Sequence, residues 1–179
     1  MLEFSIKDFF DAFILEDTKK IMKDHPYQSF AILAIGIEII GKCIDHKKLE
    51  ASGHSEQCFY DAINTCASLE KYRIFNSTYN IRRHCIFSRR VKHTNALYKM
   101  IRCGLTHSFR PQGAIFLVPG MNDFAHNIIG CQELLEDVSN AWNEVKTGAV
   151  KTKININTKC FYVDGNISGS TQYNVTKFV

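Results

Sequence analysis

The segment from Gln28 to His46 constrains the fold more than any other part of this sequence. It carries Phe30, Ile32, Leu33, Ile35, Ile37, Ile39, Ile40 and Ile44, and is apolar on most sides. A strand of that length lies far outside ordinary strand lengths, so the segment reads as a buried central helix that other helices must surround. Gly36 and Gly41 leave room for a neighbour to come close. Glu38 is the odd residue in the segment. A buried carboxylate needs a partner. The favoured reading is that Glu38 faces solvent or caps a neighbouring helix end; the other is a buried ion pair. The richest apolar stretch, Phe30 to Ile44, contains Glu38 and Lys42. It falls short of the roughly 18 to 20 apolar residues of a membrane span. The opening MLEFSIKDFF begins acidic and lacks the basic n-region and small-residue cleavage site of a signal peptide. A cytoplasmic protein with no membrane partner is the expectation.

Helical periodicity extends on both sides of this segment. Ser5 and Asp8 form a capping-box-like start, followed by Phe9, Phe10, Phe13, Ile14, Ile21 and Met22, and His25-Pro26 ends the run. Ser55 can cap a helix to about Tyr72, with Cys58, Phe59, Ala62, Ile63, Cys66 and Leu69 on one stripe. Residues 76–80 are polar and turn-rich, and residues 81–92 are basic and read as partly irregular. Thr94 or Asn95 can cap a further helix through Leu97, Tyr98, Ile101, Leu105 and Phe109, which Arg110-Pro111 ends.

The pattern changes after Pro111. Ala114 to Val118 reads as a short strand, and Cys131 to Val145 as an amphipathic helix with Leu134, Leu135, Val138, Ala141, Trp142 and Val145 on one face. The tail from Ala149 alternates and is expected to form two or three strands, pairing with 114–118 or with each other. The fold class is therefore mainly α: a single domain over residues 1–179. Residues 5–110 form a bundle core of four to five helices. Residues 111–179 form an extension with a short strand, one helix and a β-hairpin tail.

Charge is unevenly laid out. Residues 1–70 hold 7 Lys and no Arg against 12 acids, and residues 123–179 hold 5 Lys against 6 acids. Residues 71–122 hold 10 Lys and Arg and no acid, including all seven Arg of the chain. Such a block attracts polyanions. Arg82, Arg83, Arg89, Arg90 and Lys92, interleaved with Tyr79, His84, Phe87 and His93, suit phosphate contacts with base stacking. The other reading is a solvated face, or a surface docked on the acidic first 70 residues. The seven Cys contain no Cys-x-x-Cys pair, and the remaining His show no ligand spacing. Buried thiols in a reducing compartment, with no metal, are expected.

The sharpest local motif is Arg102-Cys-Gly-Leu-Thr-His107 at the end of an apolar-striped helix. In a regular helix five positions turn about 140°, so the two side chains share a face only if the last turn loosens. Gly104 makes that easier. His107 can act as acid or base near neutral pH, and Arg102 can grip phosphate oxygens in a bidentate fork. Together they suit RNA cleavage by 2′-OH attack, which needs no metal or cofactor. Tyr98, Thr106 and Ser108 could orient the phosphate. The plainer reading pairs Arg102 with a carboxylate such as Glu38 across a helix contact and leaves His107 at a helix C-terminus, where the dipole favours it.

This stretch resembles the HEPN superfamily (higher eukaryotes and prokaryotes nucleotide-binding), marked by an Arg followed a few residues later by a His. The resemblance covers residues 5–110. It implies a helical bundle that forms a homodimer, with two Arg-His pairs meeting at the interface. It further implies a metal-independent endoribonuclease of a toxin–antitoxin or defence system, with Arg102 and His107 catalytic. The alternative within the family is a non-catalytic module that binds nucleic acid, nucleotide or an antitoxin-like protein. Cys103 departs from the family pattern, in which a polar residue, often Asn, follows the Arg.

Overall fold

The computed structural model describes residues 2–45, 54–82, 89–105, 115–163 and 175–178. It is mostly helical with a few small strands, as the periodicity implies. Strand β1 (Leu2–Ser5) leads directly into α1 (Ile6–Phe9). Ser5 accepts a hydrogen bond from the Asp8 amide at 3.0 Å and donates to the Asp8 carboxylate at 2.7 Å. The capping arrangement legible in the sequence is therefore formed, satisfying one of the donors a helix start leaves unpaired. The helix widens into a π-helix at Phe10–Glu16 and resumes as α2 (Asp17–Ile21).

Helix α3 (Pro26–Asp45) starts on its proline, whose missing N–H costs nothing at that position. It is the central helix expected. At 20 residues with a mean hydropathy of 1.4 it is long and apolar enough to cross a membrane, contrary to the reading from Phe30–Ile44 alone. Here it sits at the centre of the core, with Phe30, Leu33, Ala34, Ile37, Ile40 and Cys43 inaccessible or nearly so. Helix α4 (Ser55–Thr65) lies against it. A Cβ added at Gly41 would overlap the backbone of Cys58 on α4, and one at Gly36 would crowd Ile14. Both glycines thus permit the close approach anticipated.

The third helix does not run on to Tyr72. It ends at Thr65, Cys66 is extended, and a 3-10 helix follows over Ala67–Phe75. Glu144 drives this break from afar, accepting from the amides of Ala67 and Ser68 at 2.9 and 2.8 Å and so capping the new helix start. The turn-rich stretch 76–80 and the described parts of the basic segment, 81–82 and 89–92, are strand. Strands β2 (Asn76–Arg82) and β3 (Arg89–Asn95) pair as an antiparallel ribbon, with Asn76 opposite Asn95 and Arg82 opposite Arg89. Period-two alternation is hidden there because both faces carry polar residues, which weakens the usual strand signal.

Strand β4 (Phe116–Val118) pairs in parallel with β5 (Ile128–Gly130), not with the tail. Helix α5 (Cys131–Thr147) buries the stripe read from sequence: Leu134, Leu135, Val138, Ala141, Trp142 and Val145. Trp142 stacks on Phe10 with ring centroids 4.1 Å apart and donates to Asp11 at 2.9 Å. The apolar core does not stop at residue 110, for one cluster runs from Ile6 to Val150. Strand β6 (Lys159–Val163) pairs antiparallel with β1 on one side and with β7 (Val175–Phe178) on the other, in the order β1-β6-β7. The tail therefore joins the N-terminus. Residues 153–158, read as alternating, run irregularly along the bundle, bonding Cys43 O through the Lys153 amide at 2.9 Å and the Lys7 amide through Ile156 O at 2.9 Å.

The α3–α4 contact makes a direct test. Gly41→Ala is expected to lower unfolding free energy in urea by about 1–3 kcal/mol or more, because backbone rather than a side chain must move. Retention of wild-type stability would mean that the two helices do not approach so closely.

Candidate functional site

The helix carrying the Arg-His motif begins as its sequence suggests. Asn95, fully buried, accepts from the Leu97 amide at 2.9 Å and so starts the chain turning. Its amide group donates to Tyr72 O at 3.0 Å and to the Asn76 side chain at 2.8 Å. Asn76 in turn donates to Asn64 at 3.1 Å. One side chain thereby ties the foot of the ribbon, the 3-10 helix and the motif helix together. Thr94 also donates to Glu56 on α4. The ribbon is held at its root by buried polar groups whose partners are satisfied, the only form in which they are stable.

From Tyr98 to Cys103 the motif helix is a π-helix. The Gly104 amide reaches the carbonyl of Lys99, five residues back. Widening brings positions five apart onto one face, and π-turns occur often at functional sites. Tyr98 and Cys103 are such a pair, and their side chains interact. Burial, then the nearby Cys103, pushes the Tyr98 hydroxyl up to about 12. Tyr98 also packs edge-on against Phe59 of α4, with centroids 5.7 Å apart. The widening ends at Cys103, and the spacing from Arg102 to His107 runs on past it. Thr106, His107 and Ser108 lie outside the described residues.

Arg102 points inward to Glu38. Its Nε donates to Glu38 Oε2 at 3.1 Å. The other oxygen, Oε1, accepts from the Ser55 hydroxyl at 2.6 Å and pairs with Lys42 Nζ at 3.1 Å. Glu38 is 5% exposed, which overturns the reading that it faces solvent. It does reach the start of α4, but through the Ser55 hydroxyl instead of capping a backbone amide. Ser55 is correspondingly no N-cap; His54 holds that position. Burial works against ionisation of Glu38. The Ser55 hydrogen bond and the charges of Lys42 and Arg102 outweigh it and hold its pKa below the ordinary carboxylate value. Arg102 is thus paired across a helix contact, the plainer of the two readings of the motif.

The basic residues are placed by the ribbon. Arg82 faces Arg89 in the register, Arg90 faces Ile81 and Lys92 faces Tyr79. Arg83 lies outside the described residues. A like-charged pair in opposed positions weakens a ribbon. None of these positions is on the π-helix, so the motif and these ribbon residues occupy different elements.

A second polar cluster escaped the sequence reading. Lys71 pairs with Glu133 and, at 2.9 Å, with Asp137 of α5. The buried Tyr72 hydroxyl donates to Asp137 at 2.7 Å and accepts from Asn122 at 3.0 Å. Asn122 also receives the Gly130 amide at 2.8 Å, which clamps the β4–β5 connection onto α5. Burial, with the charge of Asp137, pushes Tyr72 strongly up, so its hydroxyl stays protonated. Burial raises Asp137 as well. The signal available was Glu133 and Asp137 four apart on an amphipathic helix, which marks a shared face and nothing more. The cluster is fully partnered and holds the fold.

The thiols behave as buried apolar groups. Cys43, Cys58, Cys66 and Cys131 are buried, and Cys103 is half-buried. Burial pushes Cys58 up to about 11 and Cys66 and Cys131 up to about 12, leaving no thiolate nucleophile among those three. Among the described residues no three His, Cys, Asp or Glu side chains gather to hold a metal ion. No family model, curated protein or solved structure matches this chain.

The Glu38 cluster has a definite pH signature. Its folded pKa lies below the unfolded value of about 4.3, so its stabilisation is complete above that value and is lost as pH falls through the folded one. Asp137 has the opposite sign: its raised pKa costs stability above it, and the cost disappears on acidification. Urea midpoints measured between pH 6 and pH 3 should fall less steeply for Glu38→Gln than for the wild type. An unchanged acid limb would mean that Glu38 is not held ionised.

Proposed function

We propose that this chain is a HEPN-like module that binds RNA through the basic β2–β3 ribbon, and that Arg102 fixes the fold instead of cutting the substrate. The ribbon register carries this reading. It sets Arg82 opposite Arg89, with Arg90 and Lys92 on the same strand as Arg89, in a block of 52 residues without one acid. Repulsion within such a ribbon is relieved by a bound polyanion, and displacing counterions from phosphates supplies the affinity. The mostly helical architecture and the Arg102 helix support the resemblance to the HEPN superfamily. The Arg102–Glu38 bond supports a binding module over a ribonuclease, because the guanidinium is already engaged by a buried carboxylate.

A polyanion site on a ribbon anchored at its root needs little reorganisation to bind. Asn95, Asn76 and Asn64 hold the foot of the ribbon to the bundle. Each phosphate contacted releases counterions, so affinity falls steeply with salt.

Binding of a fluorescent RNA oligonucleotide, followed by anisotropy over a range of salt concentrations in EDTA, tests this. Affinity should fall steeply with salt. The combined change of Arg82, Arg89 and Arg90 to Gln should weaken binding and shrink the salt slope by about one for each phosphate no longer neutralised. Absent or salt-insensitive binding would overturn the reading. Metal-independent cleavage that disappears in both Arg102→Ala and His107→Ala would replace it with the ribonuclease reading.

A further inference from the structure

Where the ribbon meets the bundle, two rings lie face to face. His93 on β3 stacks on Tyr60 of α4, with ring centroids 5.5 Å apart and planes 27° from parallel. His93 remains exposed in spite of this contact, and Tyr60 is half-buried. Tyr60 is held by its helix: its carbonyl accepts from Asn64 Nδ2 at 2.7 Å, and Asn64 is the group that receives the ribbon's Asn76. His93 is fixed by the residues after it on the strand, Thr94 and Asn95, whose side chains bond Glu56, Tyr72 O and Asn76. In the ribbon register His93 lies opposite Thr78 and four positions from Arg89, which pairs with Arg82; these share one alternation of the strands, and Arg90 and Lys92 fall on the other. An exposed aromatic ring, backed by a second ring and set inward of the Arg82–Arg89 pair on the same alternation of the ribbon, is an arrangement of the kind that single-stranded nucleic acid uses. The cations track the backbone while an unpaired base adds to the stack. A duplex cannot use it, since its bases already stack on each other.

We propose that Tyr60 and His93 form a base-stacking platform, so that the ligand of the ribbon is a single strand with accessible bases. The inference rests on the RNA-binding reading and narrows it. Phosphate contacts along β2 and β3 supply affinity for any strand; the platform supplies the preference for unpaired bases.

The test uses the full-length chain and three RNA probes of about 12 nucleotides, within the span of ordinary single-strand sites. One is single-stranded, one is the matching duplex, and one is an abasic strand of the same length and charge. Wild type should bind the single strand more tightly than the abasic strand. Tyr60→Ala and His93→Ala should each weaken single-strand binding between about 5-fold and 150-fold, the range of one base stacked on an aromatic ring. Neither should change binding of the abasic strand, and Tyr60→Phe should restore wild-type affinity. His93→Ala alters an exposed side chain and keeps the test open should Tyr60→Ala lower stability. Equal affinity for all three probes, unaffected by either alanine change, would overturn the platform and leave the ribbon intact. Failure of every probe to bind would overturn the ribbon reading and the platform with it.

Discussion

The buried carboxylate of Glu38 organises the part of the molecule where three elements meet. It sits in the middle of the most apolar helix of the chain, where an unpaired charge would be untenable. It receives Ser55 from α4, Lys42 from its own helix one turn on, and Arg102 from the π-helix. Each partner arrives from a different direction, so the carboxylate fixes relative placement as well as charge balance. A pair of this kind is weak evidence for net stability, since two ions lose their hydration when buried. Removing one partner is another matter, because it strands the other. That asymmetry ties Arg102 to the fold whatever else it touches.

Outside this centre, long-range side-chain caps do much of the positioning. Glu144 on α5 starts the 3-10 helix at Ala67 and Ser68, and that helix delivers Tyr72 to both polar networks. Asn95 then turns the chain from ribbon to π-helix while bonding the backbone of Tyr72. The basic ribbon is therefore mounted on the bundle through hydrogen-bonded side chains, of which Thr94 and Asn95 are buried. Polar satisfaction at the root holds the ribbon in place.

Much of the helical framework is legible in the residues. The apolar run around Ile37, the Ser5–Asp8 cap, the Asn95 cap and the α5 stripe each follow from local physics acting within one turn or two. What is not legible depends on partners far away in sequence. Thr65 ends α4 because Glu144 caps the next helix from 76 residues or more away. Strand β6 pairs with β1 because the fold brings the two ends of the chain together. The ribbon escapes a sequence reading because a strand polar on both faces shows no hydrophobic alternation. Of the candidate site, Arg102 and Glu38 both stand out in the sequence, and their pairing is one of two readings. Spacing alone does not decide between them, because the decision lies in a contact across 64 residues.

The account stands or falls on Arg102 being bound to Glu38 as part of the fold. A double-mutant cycle of Glu38→Gln and Arg102→Met, read by urea unfolding at neutral pH, measures that coupling with the rest of the chain unchanged. The account predicts a coupling of about 0.5–3 kcal/mol, with Arg102→Met alone clearly destabilising. Strictly additive changes, with Arg102→Met as stable as the wild type, would contradict it and return Arg102 to the surface as a residue kept for its ligand.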